Sequence, residues 1–242
     1  MDPCENRAGR LRPVGYAATN NHPINMAMDT QMTMTDMTYW LELTGVAVFA
    51  VTGALEASRR QMDIVGFILI ATFTGIGGGT VRDVITGETP VFWIRDPAWI
   101  ITCIASAVVV YFTAHLLERR YVALLWLDAL GLAMFGVTGA AIGLNLNLSP
   151  LVAIILGMIS ATFGGMVRDV VCNELPLILR PEIYITSALL GATIYTVGTA
   201  LLELPRQPVA LVAFLCAFAL RAAALKYRLS FPVYRARPGR EY

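Results

Sequence analysis

Seven apolar stretches follow a polar leader in this chain, and each is close to the roughly 20 residues a helix needs to cross a bilayer. They run near 39–58, 64–85, 98–117, 122–144, 151–171, 182–202 and 209–225. Short polar or proline-bearing turns separate them, such as Asn145–Pro150 and Pro205–Pro208. Tyr39 and Trp40, then Trp93 and Trp99, stand where an interfacial aromatic belt is expected. The pattern predicts an all-α membrane protein with seven transmembrane helices. Residues 1–37 are polar, lack a signal-peptide core and are expected to be a disordered leader; Met32, Met34 and Met37 leave open a later translation start.

Composition supports the same class. Charged residues make up 14% of the chain and hydrophobic residues 57%, with a mean hydropathy of +0.63. A soluble domain carries roughly 25% charged residues. The net charge of +1 gives no reason to expect a nucleic-acid partner. Cys4, Cys103, Cys172 and Cys216 form no CxxC pair, and His22 and His115 are too few for a metal cluster. No Ser/His or metal constellation suggests an enzyme, and no cofactor is expected.

One stretch breaks the apolar pattern: Thr74-Gly75-Ile76-Gly77-Gly78-Gly79-Thr80-Val81-Arg82-Asp83. Each glycine costs about 1 kcal/mol in a helix relative to alanine. Glycines at that density, followed at once by charge, predict an interrupted helix lining a polar path. Its freed carbonyls could then replace the hydration shell of an ion. The competing reading is close helix packing, since Gly75 and Gly79 also make a GxxxG pair. For Gly139 and Gly143 packing is the preferred reading. No strand precedes the glycines and no Gly-Lys-Ser/Thr follows them, so they do not read as a nucleotide loop.

The signature recurs at Gly164-Gly165-Met166-Val167-Arg168-Asp169, inside a repeat with an offset of 86 residues. Trp40-Leu41 matches Trp126-Leu127, VTGA at 51–54 matches 137–140, and VRDV at 81–84 matches 167–170. About a third of positions between Trp40 and Pro90 are identical without a gap. The expected division is a first repeat over 38–118, a second over 122–203, a seventh helix over 207–226 and a basic tail over 227–242. Three spans per copy is an odd number, so the second copy enters the membrane from the opposite side, as in inverted-repeat transport proteins. The second and fifth helices should then be broken in corresponding places.

The repeat also pairs the intramembrane charges. Glu42 and Arg82 should share a depth at one side, and Asp128 and Arg168 at the other, because an unpaired charge there costs several kcal/mol. These arginines either lock helices together or also tune ion passage at two mouths. Asp83 and Asp169 are candidates for attracting a cation, and each can alternatively just neutralise its neighbouring arginine. As helix neighbours of Arg82 and Arg168 they point about 100° away and are not expected to pair face to face, so at least one residue of each Arg/Asp pair is expected to find another partner or water. Glu56, Glu88 and Glu174 lie near span ends and are expected to be solvated. Arg59, Arg60, Arg119, Arg120, Arg180 and the C-terminal tail fall on one side of the topology, which predicts an outside N-terminus and a cytoplasmic C-terminus.

At these residues the chain resembles the bacterial branch of the trimeric intracellular cation (TRIC) channel family, also catalogued as a glycine-transporter or uncharacterised membrane-protein family. The resemblance covers Trp40 to about Leu225. It implies a homotrimer in the bacterial inner membrane, with one path per subunit lined by kinked second and fifth spans and permeable to K⁺, with Na⁺ also expected. The matching positions are Gly77, Gly78, Gly79, Arg82 and Asp83, then Gly164, Gly165, Arg168 and Asp169. Phe163 stands where the first repeat has Gly77, so the two halves are not equivalent. Animal members bind phosphoinositide, but no matching lysine stands in the glycine region, and that ligand is not carried over.

Two functions fit. The first is a monovalent cation channel. The second is a carrier for glycine or another small zwitterion, whose carboxylate and ammonium would suit helix N-termini and Arg/Asp pairs.

Overall fold

The computed structural model describes residues 23–117 and 119–232 and is all-helical apart from one isolated bridge, Glu182 to Ser230. The helices are α1 (Pro23–Arg59), α2 (Ile64–Thr86), α3 (Phe92–Arg95), α4 (Ala98–Thr113), α5 (Arg120–Asn145), α6 (Pro150–Val171), α7 (Ile185–Thr196) and α8 (Arg206–Tyr227). Among the described residues six helices are long and apolar enough to cross a membrane: Thr38–Arg59, α2, Ala98–Leu116, α5, α6 and α8. The sixth expected span is shorter, Ile185–Leu201, and closes in a π turn over Val197–Leu201. Of the expected leader, 23–37 is helical and 1–22 lies outside the described residues. Arg235, Arg237 and Arg240 of the expected tail lie outside them too.

Helix ends follow local chemistry. Asp63 caps α2 by accepting from the Gly66 amide at 2.8 Å, and Gly87 ends it at φ 74°, a left-handed conformation glycine adopts without strain. Ser149 precedes α6 and Pro150 opens it, where a missing N–H costs nothing.

The expected breaks in the second and fifth spans do not occur. Both α2 and α6 run as continuous α-helices through Gly75, Gly77, Gly78 and Gly79 and through Gly164 and Gly165. Magnitudes explain why. Each glycine costs about 1 kcal/mol, whereas one unsatisfied backbone group in hydrocarbon costs several. The glycines serve contact instead. A Cβ on Gly78 would lie 2.1 Å from the Ser160 carbonyl oxygen, and one on Gly164 would lie 2.3 Å from that of Thr74. The Cα–H groups therefore face those carbonyls, a weak hydrogen bond recurrent where helices cross closely.

These contacts are reciprocal under the 86-residue offset, and others match them. Gly45 packs under the Phe135 ring and Gly131 under Phe49, while the two rings stack at 5.2 Å and 10°. Gly53 approaches Thr74 and Ala71; Gly139 approaches Ser160 and Gly157. Each repeat thus docks its first helix on its second, and the two second helices cross at the centre. The copies are inverted. Glu42, near the start of the first span, pairs with Arg82 near the end of α2, while Arg59 and Arg60, at the other end of α1, approach Glu174, which follows α6.

Candidate functional site: two buried arginine clusters

Arg82 sits near the end of α2, on the face turned inward by the glycine packing, and its side chain is 4% exposed. It donates to Glu42 of α1 and to Asp83, with Nη2 2.9 Å and Nε 3.0 Å from Oδ1. The second oxygen of Asp83 accepts the Phe92 amide at 2.9 Å, and the Phe92 ring lies 5.7 Å from the guanidinium. Thr80, one turn back, donates to the Ile76 carbonyl at 2.7 Å and accepts from Trp93 Nε1 at 3.1 Å. At the membrane edge outside this cluster, the Tyr39 hydroxyl donates to Asp96 at 2.7 Å. The Ala98 amide at 2.9 Å, and then this hydroxyl, hold the Asp96 carboxyl below its usual range.

Arg168 repeats the design at the opposite end and is wholly enclosed. Its Nη1 reaches Asp128 at 3.0 Å and the Thr52 hydroxyl at 3.0 Å, and its Nε reaches Asp169 at 2.8 Å. The other oxygen of Asp169 accepts the Leu177 amide at 2.9 Å. The pairings of Glu42 with Arg82 and Asp128 with Arg168 therefore form as the repeat implies. The expectation that adjacent Arg and Asp do not pair face to face is corrected, and the alternative, that each aspartate neutralises its neighbouring arginine, is what forms. The arginine stem is long enough to fold its head back across the 100° between neighbours. Asp83 and Asp169 each spend one oxygen on a guanidinium and the other on the amide of the loop that follows.

Glu56 also departs from expectation. It is buried at 2% exposure and takes Arg59 at 2.5 Å and Arg60 at 3.3 Å. Arg60 reaches on to Glu174 at 2.5 Å. Glu88 stays exposed beside Arg95 at 3.1 Å.

Residues invisible to the repeat complete the Arg168 end. The Tyr184 hydroxyl, Asp128 and Arg168 converge on Gly165. Arg221 of α8, itself buried, lies 5.0 Å over the Tyr184 ring and donates to Glu182 and to the Ile183 carbonyl, both at 3.0 Å. With the one-residue slip in the loops, Trp99 occupies the position of Tyr184 in the first repeat, and α8 has no counterpart there. An arginine inside an otherwise apolar seventh span is the signal that could have found this contact.

Further along the second repeat, buried hydroxyls have no partner within the protein. Ser187, about one turn after Tyr184, is one of them, and Arg168 Nη2 is also without a partner. About 12–15 Å deeper by helix rise lie Thr138 on α5, Ser160 on α6 and Thr196 on α7. In the first repeat the mates of Thr138 and Ser160 are satisfied: Thr52 donates to Phe49 and Thr74 to Ile70.

Comparison with known proteins places this geometry. A family model described as glycine transporter matches residues 39–115 and 125–200, one match per repeat. The UPF0126 inner membrane protein YadS of Escherichia coli is 32% identical over 82% of this chain and 96% of its own. A UPF0126 membrane protein of Vibrio cholerae is 37% identical over 83% of this chain and 84% of its own. The TRIC trimeric intracellular cation channel orthologue from Rhodobacter sphaeroides is similar in structure, with a TM-score of 0.78, 48% identity, and coverage of 80% of this chain and 99% of that one. A prokaryotic TRIC channel gives a TM-score of 0.75 at 28% identity over 80% and 98%. With both repeats matched and the fold shared along nearly the whole of those channels, the chain is a multi-pass membrane protein that belongs to this family, the bacterial branch of the TRIC channels.

Proposed function

We propose that the protein is a cation channel, conducting K⁺ and also Na⁺ along a path inside each protomer of a homotrimer. The observation that carries this reading is the run of buried, unpartnered polar atoms on α5, α6 and α7, ending at the Arg168 cluster. A buried hydroxyl without a partner costs about 1–3 kcal/mol, so a tier of them favours a hydrated route. Glu42, Arg82 and Asp83 border one mouth; Asp128, Arg168 and Asp169 border the other. With the helices continuous, ion contact falls to these hydroxyls and mouth charges rather than to freed carbonyls at Gly75–Gly79 or Gly164–Gly165. The structural relatives named as TRIC cation channels support the same reading.

The basic residues orient the protein. Arg59, Arg60, Arg120, Arg180 and the end of α8 gather at the Arg168 end, which the positive-inside rule puts in the cytoplasm of a bacterial inner membrane. The N-terminus then lies outside.

Purified protein in a planar bilayer with KCl and then NaCl tests the proposal. Unitary cation currents are the expected result. Saturable uptake of radiolabelled glycine into liposomes, without currents, would replace the channel by a carrier.

A further inference from the structure

The chain does not simply leave the membrane where α8 stops. Arg228 closes that helix at φ 52°, a left-handed conformation uncommon outside glycine, and the Arg228 and Leu229 amides both donate back to the Ala224 carbonyl. The backbone is thereby turned onto the loop that precedes α7. Ser230 forms an antiparallel bridge with Glu182, and the Phe231 amide donates to the Pro181 carbonyl at 3.0 Å. From inside α8, Arg221 takes the neighbouring positions. Its Nη2 donates to the Glu182 carboxylate, its Nη1 to the Ile183 carbonyl, and its guanidinium stands over the Tyr184 ring. Every residue of 181–184 is thus held by one helix and the strap that follows it.

What this loop carries gives the contact its meaning. Tyr184 is buried, and its hydroxyl lies 3.2 Å from where a Cβ on Gly165 would stand, with Asp128 Oδ1 at 3.3 Å and Arg168 Nη2 at 3.7 Å from the same point. The phenol therefore stands against the Arg168 cluster and helps to enclose it. In the first repeat the corresponding loop is held from within its own copy: Asp96 accepts the Ala98 amide and the Tyr39 hydroxyl, and Trp99 packs on the Tyr39 ring. The second-repeat loop depends instead on an element outside the duplication. Glu182 is half-buried and Phe231 exposed, so water can compete for both ties, and such a contact can open without unfolding a helix. We infer that Arg221 and residues 228–231 form a latch: closed, it holds Tyr184 against Arg168 and shuts that end; released, it frees the 181–184 loop and opens it. The latch rests on reading the Arg168 cluster as a mouth of the conducting path, and assigns to that mouth its gate. Arg221 is a positioning residue, acting on the path through Tyr184.

The full chain, in detergent and in planar bilayers, provides the test. Phe231→Pro deletes the donating amide beyond the end of α8, where the packing of the helices is not at risk. Arg221→Gln cuts the hold on Glu182 and Ile183, and Arg221→Lys restores a cation. Hydrogen exchange read by mass spectrometry should show 181–187 exchanging about two- to tenfold faster in Phe231→Pro and Arg221→Gln, the share one hydrogen bond holds, with α2 and α6 at the wild-type rate. The same two variants should raise single-channel open probability by a similar factor at unchanged unitary conductance, since the lining of the path is unaltered. Arg221→Lys should recover part of both effects. Arg206→Gln, which breaks the exposed contact with Asn145 at the other end of α8, should move neither. Unchanged exchange at 181–187 in both variants overturns the latch, as does faster exchange with unchanged open probability. A wild-type chain that passes no current removes the channel reading, and the latch is then decided by exchange alone.

Discussion

Gly77 and Gly78 are adjacent in a run of three glycines, yet only one is demanded by its neighbours. A methyl at Gly78 meets the Ser160 carbonyl oxygen at 2.1 Å, a backbone atom that cannot step aside. A methyl at Gly77 meets Gly164 Cα at 3.4 Å, an ordinary contact. Gly78→Ala is expected to cost about 1–3 kcal/mol or more by forcing the helices apart. Gly77→Ala should be neutral or gain up to about 1 kcal/mol from helix propensity. Thermal unfolding in detergent distinguishes them. A second prediction concerns Asp96, whose depressed pKa means its contribution is present above the unfolded value and lost as pH falls through the folded one. Asp96→Asn should therefore lower the unfolding temperature at pH 7, and the difference should shrink as acid protonates the wild-type carboxyl, vanishing only at a pH below the usual carboxylate range.

At the scale of helices, the two clusters share a plan but differ in enclosure. Side-chain exposure is 4% and 11% for Arg82 and Glu42, against 0% and 1% for Arg168 and Asp128. Leaving one member of a buried pair alone costs about 3–5 kcal/mol. Asp128→Ala leaves Arg168 with Asp169 and should cost less than that full range, and Glu42→Ala should cost less again, with a double-mutant cycle showing larger coupling at the Arg168 end. These pairings were legible from sequence because both rest on the same 40-residue separation and the same offset. The helix breaks were misread because glycine content reports backbone cost but not the neighbour that repays it. The ties of Asp83 to Phe92 and Asp169 to Leu177 were hidden for another reason. They lie in connecting loops, nine and eight residues on, where the repeat slips by one position.

For the whole molecule, the question is why an inverted repeat with matched ends should have unmatched interiors. The first repeat satisfies Thr52 and Thr74 within their own helices. The second leaves Thr138, Ser160 and Thr196 open, and α8 packs on that half through Arg221 and Tyr184. Two physical accounts of those hydroxyls make opposite predictions. If they are dry, Thr138→Val removes an unpaid desolvation cost, and the protein should gain about 1–3 kcal/mol with no change in current. If they border a hydrated route, stability changes little, because water already satisfied the hydroxyl, while unitary K⁺ conductance falls several-fold as an apolar wall replaces a polar one. The second outcome is expected, since three helices contribute unpartnered hydroxyls to one tier. Thr74→Val gives the control: its hydroxyl is already bonded to its own helix, so conductance should stay at the wild-type level. Single-channel recording and thermal unfolding on the same preparations separate the two accounts, because a dry site moves only the second and a wet site only the first.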